Sequence, residues 1–98
     1  MSEQTKVTVQ DNPERSRYEA LDESGVVAGF AEYRVEDRVR VFTHTEVDDA
    51  FEGQGVGSTL VGEALDHVRR EGLRARVLCP FIKDYLERHP EQQDVVEG

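Results

Sequence analysis

The chain has 98 residues, room for one domain around one core, and a chain of this size buries roughly 65% of the surface its unfolded form exposes. A formal net charge of −9 speaks against a nucleic-acid-binding module, which is usually basic, and no apolar run is long enough to span a membrane or to act as a signal-peptide core. The single cysteine, Cys79, excludes an internal disulfide and fits a reducing, cytoplasmic compartment.

In chain order, Lys6-Val7-Thr8-Val9 alternates as a short strand does, and Asp11-Asn12-Pro13 signals a turn. A second alternating run, residues 17–21, leads to Asp22-Glu23-Ser24-Gly25, a hairpin turn. The longer apolar run from Val26 to Val35 reads as a central strand, closed by a turn at Glu36-Asp37. In a fourth strand, Val39, Val41, Thr43, Thr45 and Val47 are expected on one face, with Phe42, His44 and Glu46 on the other. The period then changes from two to 3.6. Val56, Leu60, Val61, Ala64, Leu65 and Val68 recur at helical spacing up to Gly72, a C-terminal stop. Residues 75–79 form a fifth strand, Pro80 starts a short helix carrying Phe81, Tyr85 and Leu86, and Pro90 stops it. The expected fold is therefore a mixed α/β domain: a four-stranded antiparallel meander, a glycine loop, a helix, a fifth strand and a short C-terminal helix. One domain is expected over residues 1–98.

Charge is uneven along the chain. Residues 1–65 hold 14 acidic and 6 basic side chains, whereas residues 66–98 hold 7 and 6. Arg69, Arg70, Arg74, Arg76, Lys83 and Arg88 make the C-terminal third the natural home for an anionic ligand, and the acidic remainder attracts a cationic one.

The run Glu52-Gly53-Gln54-Gly55-Val56-Gly57-Ser58 joins the fourth strand to the first helix. Glycine accepts positive φ and close backbone approach, and a helix that starts after such a loop presents unpaired N–H groups and the positive end of its dipole. That combination suits a phosphate or pyrophosphate; a flexible connection is the plainer reading. A Walker loop needs Gly-Lys-Ser/Thr, and no lysine lies between residues 7 and 82. A dinucleotide-binding loop follows the first strand of a βαβαβ array and has an acidic residue about twenty positions on. This loop follows the fourth strand of a meander, and Arg74 and Arg76 stand there instead.

The sequence resembles the GNAT superfamily of N-acetyltransferases. Its signature, Gln/Arg-x-x-Gly-x-Gly/Ala at the start of the helix after the fourth strand, is matched by Glu52-x-x-Gly55-x-Gly57. Within it the chain is most similar to a group of minimal domains, the YjdJ-like group, through His-Thr-Glu-Val at 44–47, the Glu-Gly-Gln-Gly loop, Cys-Pro-Phe at 79–81 and Tyr85-x-x-x-His89-Pro90. The resemblance implies acetyl-CoA or CoA as ligand and an amine acceptor, with no metal site. It places the CoA pyrophosphate on Gly53, Gln54, Gly55, Val56, Gly57 and Ser58 and the thioester against the backbone of Thr45, Glu46 and Val47. The first signature position departs from the family. Glu52 offers no help to a pyrophosphate, which leaves backbone N–H groups and the Ser58 or Thr59 hydroxyls. The segments that shape the acceptor site in larger members have no counterpart here, which implies an open, poorly selective acceptor groove or an acceptor that brings its own shape; oligomeric state stays open, a monomer included.

Acetyl transfer to an amine needs a base, an oxyanion donor and a route out for the thiolate. A lysine-like amine has a pKa near 10.4 in water, so neutral pH demands help with its proton. Glu46 stands where some members keep a general base, or else is a solvated carboxylate. His44, two residues back and so on the same face, relays a proton or simply packs. Cys79 stands beside the expected thioester sulfur, where most members have Asn, and invites acylation of its thiol; the alternative is an inert buried cysteine. Tyr85 matches the tyrosine that protonates the departing thiolate but arrives one residue early, so it faces either the site or the core. His89 caps or packs, and Arg69 and Arg70 are candidates for a 3′-phosphate, with solvated helix arginines the commoner case. A non-catalytic CoA-binding or protein-interaction module is the competing reading.

Overall fold

A computed structural model describes residues 6–97. Strands β1 (Thr8–Asn12), β2 (Arg17–Leu21), β3 (Val27–Glu36) and β4 (Val39–Val47) form an antiparallel meander, and β5 (Arg74–Val77) joins β4 in parallel, giving the sheet order β1-β2-β3-β4-β5. Helix α1 (Val56–Arg70) is the crossover between β4 and β5, and α2 (Pro80–Arg88) follows. This is the expected mixed α/β fold. Short 3₁₀ turns span Asp49–Phe51 and Pro90–Val95. Among the described residues no helix is long and apolar enough to cross a membrane.

Local chemistry fixes each corner. The Asp22 carboxylate accepts from the backbone N–H groups of Ser24 and Val26 and from the Ser24 hydroxyl, and Gly25 takes φ 88°, so the β2–β3 turn closes on its own side chain. Those bonds hold the Asp22 carboxyl below the usual carboxylate range. At the end of α1, Leu73 N–H donates to the Val68 carbonyl and Gly72 N–H to that of Arg69, with Gly72 at φ 71°. This is a Schellman stop, and it turns the chain straight into β5. Strand β1 runs further than expected: Asp11 and Asn12 pair with Tyr18 and Arg17 rather than turning, and Tyr33 Oη donates to Asp11 across the sheet at 2.6 Å.

One core lies on one face of the sheet. Tyr18, Ala20, Ala31, Tyr33 and Phe42 meet Leu60, Val61, Ala64, Leu65 and Val68 of α1 there, while Ile82, Tyr85 and Leu86 of α2 close one end. Each fully buried Leu or Val contributes about 1.5–3 kcal/mol. The opposite face carries Arg17, Glu19, Phe30, Glu32, His44 and Glu46, paired across strands, with the Arg17 guanidinium 4.4 Å from the centre of the Phe30 ring.

The sides of β4 differ from the expectation. Glu32 pairs with His44 but Tyr33 pairs with Phe42, so Thr43 is an extra residue, a bulge. The bulge resets the alternation: Phe42 lies in the core with the Thr45 side, and Val41 lies on the face of His44 and Glu46. A β-branched alternating run reads as uninterrupted in sequence, whereas the extra residue depends on how it meets β3.

Candidate functional site

Strands β4 and β5 part company halfway. They pair from Val39–Arg74 to Phe42–Val77, and Leu78 N–H makes the last link to the Phe42 carbonyl at 2.9 Å. Beyond it β4 continues to Val47 while the other chain turns into α2 through Cys79 and Pro80. Asp48 N–H donates to Ala28 of β3. By the alternation of an antiparallel ladder, Glu46 also faces β3, and the N–H and C=O groups of Thr45 and Val47 face the side β5 has vacated.

The chain leaves β4 through the 3₁₀ turn, which Asp48 caps by accepting from Ala50 N–H at 2.9 Å. Gly53 and Gly55 then both take φ near 78°, at 77° and 78°. Left-handed residues at alternate positions turn successive N–H groups toward one side, the geometry of an anion-binding concavity. Gly55 is the N-cap of α1 and supplies no side-chain cap, so the first N–H groups of a 15-residue helix are left to whatever occupies the loop. A groove of about 430 Å³ opens there. Val47 lines it from β4, Phe51 and Glu52 from the turn, Gly53 and residues 55–58 from the loop, and Phe81 from α2.

The catalytic candidates divide between the two faces. Cys79 is 3% exposed and its Sγ donates to Thr45 Oγ1 at 3.5 Å, which puts both on the core side of the fork. His44 and Glu46 lie together on the open side, exposed and joined Nε2 to Oε2 at 2.7 Å. Tyr85 turns away from both. It is 5% exposed, its ring stacks on His89 with centroids 4.3 Å apart, and a methyl on Gly62 of α1 would stand 2.9 Å from its hydroxyl oxygen. Burial raises its pKa, consistent with a phenol kept from water. Of the loop residues, Gln54 directs its side-chain amide to the Ala50 carbonyl at 3.3 Å instead of to the groove.

Residues 17–95 match the family model for GCN5-related N-acetyl-transferase. The chain belongs to the GCN5-related N-acetyltransferase family. It is similar to Protein NATD1 of Bos taurus, 41% identical over 56 residues that make up 57% of this chain and 50% of that protein. Against Protein NATD1 of Xenopus tropicalis it is 42% identical over 50 residues, 51% of this chain and 46% of the other. The chain thus spans about half the length of the curated relatives it matches. Among solved structures it is similar to a candidate GCN5-like N-acetyltransferase from Staphylococcus aureus, with a TM-score of 0.69 and 28% identity over 93% of this chain and 88% of that one. A candidate phosphinothricin N-acetyltransferase gives a TM-score of 0.58 and 27% identity over 81% and 54%.

The arginines of this family member are not the anion site that composition suggested. Arg69 binds Asp66, Gln92 and Asp94, Arg74 donates to the carbonyls of Asp94 and Val96, Arg76 pairs with Glu36 and Glu97, and Arg88 with Asp84. Arg69 and Arg70 also sit at the far end of α1, about 20 Å from its N-terminus at 1.5 Å per residue. They are tied to the C-terminal turn, or remote, and not placed for a phosphate at the loop. Conversely, sequence reasoning missed Phe81 and Phe51 as groove residues. The signal for Phe81 was its place directly behind Pro80, which fixes the first turn of α2 and leaves the next side chain 40% exposed beside the loop.

Proposed function

We propose that the chain transfers an acetyl group from acetyl-CoA to a primary amine, either a protein lysine or a small amine. One observation supports this above all: the groove joins an uncapped helix N-terminus to the fork between β4 and β5. The residues suit the ligand. Two left-handed glycines and free N–H groups take the pyrophosphate without help from Glu52. Val47 and Phe81 wall a path toward Thr45 and Cys79, each two residues away.

In this scheme the amine approaches from the open face, and Glu46, held by His44, takes its proton. The nitrogen bonds to the thioester carbonyl carbon, and the N–H groups on the free side of Thr45 and Val47 take the oxyanion. A donor of this kind contributes about 2.7–4 kcal/mol. The C–S bond then breaks, the amide forms and the thiolate of CoA takes up a proton. Tyr85 has no part in it, because its hydroxyl lies against Gly62. A two-step variant runs through Cys79: its sulfur bonds to the carbonyl carbon, its proton leaves with the CoA thiol, and the amine then displaces it.

Thermal melting with acetyl-CoA tests the reading first, since a ligand that binds only the folded state raises Tm. Absence of any shift at millimolar acetyl-CoA would sink it. Intact mass after incubation, with and without a pool of amines, then separates the routes. Acetyl on Cys79 that disappears when amine is added supports the relay, and a Cys79→Ser chain that keeps most of its activity supports direct attack. Two observations favour the second reading, a non-catalytic acyl-CoA-binding or interaction module: Glu52 puts a carboxylate in the groove, and Tyr85 is withdrawn from it. Binding without transfer to any amine would establish that module instead.

A further inference from the structure

We infer that Gly57 and Phe81 act as one steric unit: Gly57 is a glycine in order to admit the Phe81 ring, and that ring is the wall against which the pantetheine arm of CoA packs. The inference rests on the acetyl-CoA reading above. Unlike Gly53 and Gly55, Gly57 is not among the residues with positive φ, so its backbone does not call for glycine. What calls for it is contact. A methyl group built on Gly57 would overlap Phe81 Cζ, lie 3.1 Å from Phe81 Cε1 and meet Val47 Cγ2 at 3.4 Å. The same arrangement recurs a turn and a half along α1, where Gly62 faces the Tyr85 hydroxyl. Phe81 and Tyr85 stand one turn apart on α2, so α2 lays two rings into two notches of α1.

The two rings differ in a way that points to a ligand. Tyr85 is sealed at 5% exposure, as a packing residue should be, whereas Phe81 is 40% exposed and lines the groove opposite Val47. An open ring two residues beyond Cys79, with a valine across from it, bounds the stretch between the phosphate loop and the fork. Helix N–H groups serve the charged end of CoA, and an apolar wall suits the uncharged arm that leads from it.

The test uses Phe81→Leu, which removes the ring atoms that reach Gly57, with Gly57→Ala and the double variant. Three quantities are read: Tm without ligand, the Kd of CoA, and the Kd of adenosine 3′,5′-bisphosphate, which carries phosphates but no arm. Gly57→Ala is expected to lower Tm more in the parent chain than in the Phe81→Leu background, because in the parent the Phe81 ring must swing aside to admit the methyl. A Gly57→Ala chain that fails to fold while the double variant folds gives the same answer. Phe81→Leu is expected to weaken CoA about tenfold and to leave the bisphosphate within about twofold. An equal Tm loss from Gly57→Ala in both backgrounds overturns the steric unit. Unchanged CoA affinity in Phe81→Leu, or equal loss of both ligands, overturns the wall. If the unsubstituted chain binds neither ligand, the acetyl-CoA reading and the wall fall together, and the Tm comparison still decides the packing of Gly57 on its own.

Discussion

The same two strands make opposite structures at their two ends. Between Val39 and Phe42, β4 is hydrogen-bonded on both edges, and α1 covers it over Tyr18, Tyr33 and Phe42. Between Thr43 and Val47 it has β3 on one edge and, among the described residues, no paired strand on the other, with a cysteine, a threonine and a histidine–glutamate pair around the gap. The closed end has no spare hydrogen-bonding backbone and carries stability. The open end trades strand pairing for unsatisfied groups, which is what a ligand needs. Substitutions should therefore sort by end: those at the closed end change folding, and those at the open end change binding.

The sharpest break of that rule would come from Phe42. Its side chain is fully buried between Tyr18 and Tyr33, so Phe42→Ala should cost about 3–5 kcal/mol, most of the stability of a domain this small. Urea denaturation measures it. A cost below about 1 kcal/mol would mean that the closed end is not the anchor.

Alkaline pH attacks the same end. Burial, foremost, pushes the phenols of Tyr18 and Tyr33 well above their ordinary range, with the Asp11 carboxylate adding to both. A group whose folded pKa is raised keeps its full stabilisation below the unfolded pKa, here about 10, and loses it as pH climbs toward the folded value. Stability should therefore fall above pH ~10, by about 1.4 kcal/mol per pH unit for each tyrosine still protonated in the folded state. Tyr18→Phe, which also removes the 2.7 Å bond to His67, should reduce that slope by one proton. An unchanged slope in chemical denaturation from pH 9 to 11 would contradict the account.

At the open end a matched pair of glycines isolates binding from folding. Gly25 and Gly53 have φ 88° and 77°, and a methyl on either would meet nothing within 4 Å. Alanine at each should cost about 1–2 kcal/mol through the left-handed backbone alone. Only Gly53 lies in the groove. Gly25→Ala should keep the full Tm rise with acetyl-CoA and Gly53→Ala should lose much of it; equal rises would detach the loop from the ligand.

How much of this was legible depends on the range of the interaction involved. The change of period at Val56, the turn at Asp22, the stop at Gly72 and the glycine loop are local, and each is visible as a short run of residues. The bulge at Thr43 is not, because it exists only against β3, and it moved Phe42 from the side of His44 to the core. Nor is the fate of the arginines: Arg69 reaches Asp94 across 25 residues of sequence, so a list of basic side chains looks like an anion site until their partners are placed. Tyr85 lay between two readings, and its burial against Gly62 is a contact that its spacing from Cys79 does not reveal. Such choices are made by long-range contacts, which composition and spacing do not encode.

Arg69 gives the smallest expected effect and the cleanest check on the division of the molecule. Its bonds to Asp66 and Asp94 lie at the surface, where solvent and salt screen them. Arg69→Met should therefore lower Tm only slightly, and less still in 1 M salt. The Arg69 guanidinium, by hydrogen bond first, holds the Asp94 carboxyl below its ordinary range. A depressed folded pKa stabilises above the unfolded pKa and is lost as pH falls through the folded one, so the gap between Arg69→Met and the parent should close in acid. Throughout, the acetyl-CoA shift should be that of the parent, because Arg69 lies at the far end of α1 from the loop. A variant that melts like the parent yet no longer responds to acetyl-CoA would move the anion site to the C-terminal third, and would leave the open fork without its ligand.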